Sequence, residues 1–341
     1  MPFQDVFGHR RIVDLLARSV ACDSLPPSLV FAGPEGIGKR LVAVAVAQAL
    51  NCLQPRPRKT EAGAAASDAC GTCAACTRIA RGVHPDVLIV EPGDSGAIKI
   101  EQARDIVDRA AYRPFEGKRR VVIIDDADAL LPAAQNALLK TLEEPPSLSA
   151  FILVTARPDV LLPTVRSRCP RLNFRPLSPQ ELTEALVARG RSRTDAVAVA
   201  ASADGSLGRA LEASAEAFVE AREVAEQVLT HAAGVFEPRR RIEGAKELLA
   251  HTGGSGASDR EQLAIHLRAM ASLLRDVELL SVHADASALA NPDVRPALER
   301  LTAAYQGDRG VRAFGAIDRA LVALERNAGV KIVADWLVLA L

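Results

Sequence analysis

A glycine-rich turn between an apolar run and a helix-like run is the feature that most constrains how this chain folds. The sequence GPEGIGKR occupies residues 33–40, after the apolar residues 29–32 and at the start of a helical pattern over residues 40–50. A strand, a GxxxxGK turn and a helix in this order form a P-loop, in which backbone N–H groups surround a phosphate chain and the lysine meets its terminal phosphates. The predicted phosphate-binding residues are Gly33, Pro34, Glu35, Gly36, Ile37, Gly38, Lys39 and Arg40.

The last residue of this turn differs from that of a P-loop that holds a metal ion. A working P-loop ends in Ser or Thr, whose hydroxyl oxygen ligates Mg²⁺. Arg40 has no oxygen to offer and brings a positive charge instead. Two hypotheses follow: Lys39 still binds a nucleotide that this chain does not split, or Arg40 fills the phosphate pocket.

A second apolar strand ends in acidic residues. Residues 121–124 read VVII and are followed by Asp125 and Asp126. A buried strand that ends in a carboxylate is the Walker B pattern, which places Asp125 where it could hold Mg²⁺. The alternative, an acidic turn after a strand, leaves Lys39 without an explanation.

Four of the six cysteines form a cluster in the sequence. Cys52, Cys70, Cys73 and Cys76 end in a C-x₂-C-x₂-C spacing, which predicts a structural zinc site with four thiolate ligands. The alternative is a redox-active or incidental group of thiols. Residues 53–69 are rich in Pro, Arg, Ala and Gly and are expected to be a loop with little structure of its own. His84 is expected to be a loop histidine rather than a further ligand.

Composition excludes some classes of function. Lys plus Arg and Asp plus Glu both number 42, so the whole surface is not built to grip a nucleic acid. The N-terminus has no basic-then-apolar signal pattern, and no apolar run reaches the roughly 18–20 residues of a membrane helix. The sequence therefore predicts a cytoplasmic protein.

Alternating strand and helix patterns predict an α/β domain, a parallel sheet with helices on both faces. Strands are predicted at 29–32, 87–90, 121–124 and 151–155, and helices at 10–21, 40–50, 100–112, 132–142 and 160–165.

The chain is predicted to be all-helical after about residue 177. Helical patterns cover 179–189, 196–203 and 207–213, and a Gly/Ser-rich turn is predicted at 253–256. Two later apolar stripes are predicted to be core, with packing against sister subunits as the alternative. The stripes are Leu263, Leu267, Met270, Leu274 and Val277, then Val311, Phe314, Ile317, Leu321 and Leu324.

Several strings resemble those of a known family. Residues 135–146 read QNALLKTLEEPP and residues 167–169 read SRC, and both are similar to signatures of the clamp-loader branch of the AAA+ superfamily. Residues 3–9 resemble the adenine-side segment of that family, and residues 204–211 resemble its lid-domain string. The cysteine cluster also falls where bacterial clamp loaders carry zinc.

The resemblance implies a domain division and roles for individual residues. Thr155, at a strand end, and Arg209 would contact nucleotide phosphates, and Arg168 would act as an arginine finger in the nucleotide site of a neighbouring subunit. The implied domains are an AAA+ P-loop domain over 1–174 with the zinc module at 52–76, a helical lid domain over 175–215 and an all-helical collar over 216–341.

Departures from the family pattern indicate which kind of subunit the chain resembles. Motor subunits (gamma and tau) carry Thr or Ser where this chain has Arg40, and Glu, one methylene longer, where it has Asp126. A shift of about 1 Å at a positioning group can cost on the order of 100-fold in rate. Since Arg168 is kept, the chain resembles the delta-prime type of subunit, the stator of the clamp loader of bacterial DNA polymerase III, without ATPase activity of its own.

The same resemblance implies partners and cofactors. The expected partners are gamma/tau and delta subunits in a hetero-pentamer, with the sliding clamp and primed DNA met through the complex. A structural Zn²⁺ is expected, whereas the binding of ATP and Mg²⁺ by this subunit stays open.

Two other classes of function are considered. The first is a catalytically active AAA+ clamp-loader ATPase of the gamma/tau type. Against it, this chain has Arg40 in place of a hydroxyl residue and Asp126 in place of a Glu. A separate DNA-binding protein could contact phosphates through Arg56, Arg58 and Lys59, but this segment has no aromatic residue on which bases could stack.

Overall fold

The structure is a computed structural model that describes residues 2–60, 63–93, 95–203, 205–212, 215–235, 237–249, 256–283, 289–325 and 328–341. The chain divides into two compact units. The N-terminal unit comprises Met1–Glu181 and Gly205–Gly208, and the C-terminal unit comprises Leu182–Asp204 and Arg209–Leu341. The three-part domain division stays a prediction.

Within the described residues of the N-terminal unit, seven strands form two sheets. The strands are β1 Ser28–Ala32, β2 Arg56–Lys59, β3 Ala65–Asp68, β4 Val87–Val90, β5 Arg120–Ile124, β6 Ser149–Thr155 and β7 Arg171–Asn173. The main sheet has the order β4-β5-β6-β1-β7 with every neighbouring pair parallel, and β2 and β3 form an antiparallel hairpin. All residues of β1, β5 and β6 are buried, as expected for strands covered on both faces.

Helices cover both faces of this sheet. They are α1 Arg10–Ala21, α2 Lys39–Asn51, α3 Ala74–Ala80, α4 Ile100–Ala111, α5 Pro132–Glu143, α6 Pro163–Arg166 and the start of α7 Pro179–Val187. Alternate residues of β1 face opposite layers: Leu29 and Phe31 pack in the cluster of α1 and α2, while Val30 packs in the cluster of α4 and α5. The predicted α/β fold is therefore confirmed.

Two local predictions in this unit are wrong. Residues 53–69 contain the hairpin β2–β3 rather than an unstructured loop. Long-range contacts stabilise it: Asp68 accepts hydrogen bonds from the backbone N of Phe3 (2.8 Å) and Gln4 (2.9 Å), and Arg58 pairs with Asp14 (3.0 Å). The helix predicted over 160–165 is also interrupted.

The interruption lies before Pro163. A 3₁₀ turn covers Pro158–Val160, and α6 begins only at Pro163. The residue before a proline is driven out of the helical region, so a continuous helix is not formed.

The C-terminal unit consists of helices throughout its described part. They are the rest of α7, α8 Arg193–Ser202, α9 Leu207–Glu212, α10 Ala215–Gly234, α11 Pro238–Leu248, α12 Gly256–Ser281, α13 Arg295–Tyr305, α14 Asp308–Glu325 and α15 Val330–Ala340. No described helix has the combination of length and apolarity that a membrane crossing requires. The predicted turn at 253–256 lies mostly outside the described residues.

One of the two predicted apolar stripes forms core and the other does so only in part. All five residues of the α12 stripe are buried. On α14, Ile317 and Leu324 are buried, but Val311 is 65% exposed and Phe314 is 46% exposed. Ala313, Ala316 and Ala320 share the buried face of α14 with Ile317 and Leu324, so the helix is rotated relative to the prediction.

A buried carboxylate anchors the loop that precedes β5. Asp86, just before β4, accepts hydrogen bonds from the backbone N of Phe115 (2.7 Å), Glu116 (2.9 Å) and Gly117 (2.8 Å), and from Arg120 Nη2 (2.9 Å). Burial alone would raise its pKa, but these donors lower it to about 2.

The Asp86→Asn substitution is expected to lower the free energy of unfolding by about 2 kcal/mol at neutral pH. A carboxylate whose pKa is lower in the folded state stabilises the fold at pH values above its unfolded pKa of 3.8. This stabilisation is lost as the pH falls through its folded pKa of about 2. The difference between wild type and variant, measured by denaturant unfolding, should therefore narrow below about pH 4. The exposed Asp105→Asn is the matched control, and equal effects of the two substitutions would contradict this prediction.

Candidate functional site

The glycine-rich turn has the backbone shape of a P-loop. Gly38, immediately before α2, has φ +102°, a conformation that a residue with a side chain rarely adopts. At Gly33 a Cβ atom would lie 2.4 Å from the carbonyl oxygen of Phe174, so only glycine fits there. The turn thus connects the end of β1 to the start of α2, where backbone N–H groups are free of helical partners.

Two contacts from outside the turn fix its carbonyl groups. His9 Nε2 donates to the carbonyl oxygen of Ile37 (2.7 Å), and the backbone N of Gly208 donates to that of Gly36 (2.8 Å). Burial lowers the pKa of His9. Neither contact was predicted, although both residues lie in strings that resemble the clamp-loader family.

Lys39 is bound by the turn itself. Its side chain is almost fully buried, and Nζ donates to the carbonyl oxygens of Gly33 (2.7 Å) and Pro34 (2.6 Å). Burial lowers the pKa of this ammonium, while the nearby Glu35 and Asp125 act in the opposite direction. Of the remaining predicted turn residues, Ile37 is part of the core under β1.

Arg40 neutralises the acidic residue predicted to hold Mg²⁺. Its Nη1 lies 3.1 Å from Asp125 Oδ2 and also contacts Glu91 Oε1. Glu91 was not predicted as a site residue. In a metal-binding P-loop the Ser or Thr hydroxyl and this aspartate hold one divalent cation. In this chain a guanidinium supplies positive charge at the same carboxylate.

The other acidic residues after β5 lie in different environments. Asp126 has φ +46°, and burial, with repulsion from Asp125 and Asp128, raises its pKa. Asp128 accepts hydrogen bonds from Thr155 Oγ1 (2.7 Å) and Arg157 Nε (2.9 Å). Burial alone would raise the pKa of Asp128, but the hydrogen bonds from these two donors have the larger effect, so its pKa is lowered. Thr155, which was predicted to contact phosphate, is fully buried, and its hydroxyl group donates its hydrogen bond to Asp128.

A cavity of about 610 Å³ opens beside His9. Its walls come from the start of α1 and from the segment after β7, all within the N-terminal unit. The lining includes His9, Arg10, Arg11, Arg175, Leu177 and Glu181. Arg209, the other predicted phosphate contact, lies on α9 in the C-terminal unit, and its role stays a prediction.

Arg168 lies on the surface next to the end of α5. Its Nε donates to Glu143 Oε2 (2.9 Å), its Nη2 forms an ion pair with the same oxygen (2.8 Å), and its Nη1 donates to the carbonyl oxygen of Thr164 (2.9 Å). The next residue, Cys169, is buried in the core between the sheet and α5. Within the SRC string, Cys169 is thus fixed in the core, while Arg168 remains partly exposed.

The four clustered cysteines meet in space. Cys52 follows α2, Cys70 follows β3, Cys73 precedes α3 and Cys76 lies in the first turn of α3. Their sulfur atoms all lie within 4.8 Å of one another, and three of the four residues are buried. A tetrahedral zinc with Zn–S bonds of about 2.3 Å needs sulfur atoms roughly 3.8 Å apart, so this set could hold a metal ion.

Backbone donors reach two sulfur atoms of this cluster. The N–H groups of Cys70 and Cys73 donate to Cys52 Sγ (3.2 Å) and Cys70 Sγ (3.3 Å). Two contacts that the sequence analysis missed fix the backbone of the cluster: Gln48 Nε2 donates to the carbonyl of Cys76 and Lys118 Nζ to that of Cys52. His84 lies outside the cluster, in the loop before β4, with Nε2 3.3 Å from Glu116 Oε1.

The sequence of this chain is similar to those of known proteins. Residues 8–178, half of the chain, match the sequence profile of the family described as DNA polymerase III, delta subunit. The chain is 41% identical over 138 residues to the DNA polymerase III subunit delta' of Pseudomonas aeruginosa, an alignment that covers 40% of this chain and 39% of the relative. It is 33% identical over 187 residues to the DNA polymerase III subunit gamma/tau of Mycobacterium tuberculosis, with 55% of this chain and 31% of the relative covered.

The chain therefore spans only about a third of the length of these curated relatives. Among solved structures, a gamma subunit-related protein of Thermotoga maritima aligns over 94% of this chain and 95% of its own, at 16% identity and a TM-score of 0.42. The profile match over half of the sequence shows that the chain belongs to the DNA polymerase III delta subunit family, within the clamp-loader branch of the AAA+ proteins.

Proposed function

We propose that this chain is the delta-prime, or stator, subunit of the clamp loader of bacterial DNA polymerase III. In this role it hydrolyses no ATP itself and contributes Arg168 to the nucleotide site of a neighbouring ATPase subunit. The observation that carries the proposal is the pairing of Arg40 with Asp125 at 3.1 Å, next to a P-loop that is otherwise intact.

The contacts of Arg40 support the absence of intrinsic hydrolysis. A divalent cation at Asp125 would have to displace a guanidinium that is covalently part of the chain and also contacts Glu91. Asp126 adds to this effect, because its side chain is one methylene shorter than the Glu of motor subunits and reaches less far toward an attacking water. Lys39 has its charge satisfied by loop carbonyls without any phosphate.

The position of Arg168 supports the proposed finger. An arginine finger must be presented on the surface by a rigid element, because the contact is made in trans. Arg168 lies between the short helix α6 and the buried Cys169, so its backbone is fixed while its side chain remains 31% exposed.

The proposal extends to cofactor and partners. Cys52, Cys70, Cys73 and Cys76 would hold a structural Zn²⁺ that fixes the end of α2 to α3 and to the hairpin. The partners would be gamma/tau and delta subunits in a hetero-pentamer, which meets the sliding clamp and primed DNA.

A second candidate is an active motor of the gamma/tau type. It is favoured by the longer alignment with the gamma/tau relative, 187 residues against 138 for the delta' relative. Opposing it, the motor role requires a metal ligand after Lys39, and Arg40 replaces that ligand.

Metal dependence of nucleotide binding tests the proposal. The affinity of the wild-type chain for ATP, measured by calorimetry, should be the same in Mg²⁺ and in EDTA. The Arg40→Thr variant releases Asp125 and supplies a hydroxyl, so it should bind ATP on the order of 10-fold more tightly with Mg²⁺ than without. Arg40→Ala, which releases Asp125 without adding a hydroxyl, should gain less. Tighter binding of Mg²⁺-ATP by the wild type would contradict the proposal.

A further inference from the structure

We infer that Glu143 is a positioning residue for Arg168, an inference that rests on the proposed role of Arg168 as a finger. Glu143 would hold the guanidinium in one orientation on the surface, ready for a phosphate group on a neighbouring subunit. It would act only through Arg168 and would touch no nucleotide itself.

The hydrogen bonds around the guanidinium carry this inference. Glu143 Oε2 accepts a hydrogen bond from Nε of Arg168 at 2.9 Å and lies 2.8 Å from Nη2 as an ion pair, and the carbonyl oxygen of Thr164 accepts from Nη1 at 2.9 Å. A guanidinium has five N–H donors in a fixed plane. Hydrogen bonds to Glu143 and Thr164 use two of them, so within the described part of the chain further donors remain for a partner.

The place of Glu143 in the fold makes it a firm anchor. It is the last residue of α5, whose Leu138 and Leu142 are buried against the sheet. Pro145 and Pro146 follow almost directly and restrict the backbone beyond it. The carboxylate of Glu143 therefore projects from a rigid helix end. A carboxylate on a mobile loop would not hold the Arg168 side chain in one orientation.

Exposure argues against stability as the purpose of this pair. The side chains of Arg168 and Glu143 are 31% and 56% exposed. Ion pairs so accessible to water contribute little to folding stability, because solvent screens them. Removing Glu143 should therefore leave the melting temperature nearly unchanged and should alter only how well Arg168 is oriented.

The expected kinetic effect follows from side-chain entropy. An arginine that is already ordered loses less rotamer freedom when it docks against a phosphate. In a clamp loader reconstituted with Glu143→Gln, we expect kcat at the receiving site to fall by about 5- to 10-fold, with KM for ATP unchanged. Glu144→Gln removes the same charge from the neighbouring exposed residue and is the matched control.

Three comparisons test the inference. Glu143→Gln should lower kcat, Glu144→Gln should not, and Glu143→Gln should have no further effect in a chain that already carries Arg168→Ala. A side-chain ¹⁵N NMR spectrum of the isolated chain gives a readout without activity: the Nε–H of Arg168 should exchange faster with water in Glu143→Gln than in wild type.

The outcomes separate this inference from the proposed function. If Arg168→Ala leaves turnover unchanged, Arg168 is not an arginine finger, and both the proposed function and the inference about Glu143 are refuted. If Arg168→Ala reduces turnover but Glu143→Gln matches Glu144→Gln or increases kcat, only the role of Glu143 is refuted. A further loss from Glu143→Gln in the Arg168→Ala background would also refute it, since Glu143 would then act independently.

Discussion

Replacing Arg168 with Ala is expected to lower ATP hydrolysis at the site that receives it by about 10³- to 10⁵-fold, in a clamp loader reconstituted with the variant chain. The reason is that an arginine finger stabilises negative charge that develops on the transferred phosphoryl group, and no water molecule replaces a fixed guanidinium there. Total turnover of the complex should fall less, because other sites keep their own fingers.

Arg166 provides the matched control for this substitution. It is the last residue of the short helix α6, two positions before Arg168, is exposed, and pairs with Asp159 at 3.0 Å on the surface. Arg166→Ala should leave turnover unchanged. Arg168→Lys keeps the charge but loses the planar fork of donors, so it should recover only a small part of the activity. Equal effects of Arg166→Ala and Arg168→Ala would show that general surface charge, and no finger, is responsible.

Replacing Cys76 with Ser is expected to abolish zinc binding and to unfold the cysteine module. A structural zinc contributes roughly 10–16 kcal/mol of apparent binding free energy at neutral pH, and this energy is coupled to folding. In the hairpin, β2 is mostly exposed and β3 buries only Ala66 and Asp68, so the hairpin has little apolar core of its own. Without the metal it should lose hydrogen-exchange protection, and the melting temperature of the chain should fall.

Zinc content by elemental analysis checks this prediction directly. The wild type should carry a single zinc ion per chain, and a strong chelator should lower its melting temperature as the substitution does. Cys22→Ser is the control, because Cys22 is exposed and lies outside the cluster. A wild-type chain free of zinc after expression in zinc-supplemented medium would disprove the metal assignment.

Local patterns predicted four of the five described strands of the main sheet, and the P-loop, because their signals lie within short stretches of sequence; the short strand β7 was not predicted. The strand before Gly33 and the strand before Asp125 are continuous apolar runs, and both form as predicted. The partnership of Glu91 with Arg40 could not be predicted in this way. Glu91 and Asp125 are neighbours because β4 pairs with β5 in a register that sets Val90 beside Ile124.

Contacts between distant residues also explain the errors. The hairpin β2–β3 has a composition typical of loops, and its stability depends on Asp68 and Arg58 meeting α1 and the N-terminus. On α14 the large residues suggested the buried face, but close packing selected Ala313 and Ala316 instead and left Val311 exposed. Helix periodicity does not reveal which of two apolar faces is buried when one of them is made of alanine.

The measurement that tests the central claim most directly is steady-state ATP turnover by the reconstituted clamp loader, with either Arg168→Ala or Lys39→Ala in this chain alone. The proposed division of roles predicts a partial loss of total turnover with Arg168→Ala, because sites that do not receive Arg168 keep their own fingers. It predicts wild-type turnover with Lys39→Ala, because the P-loop of this subunit hydrolyses nothing. A loss with Lys39→Ala and none with Arg168→Ala would contradict it and would make this chain a motor subunit.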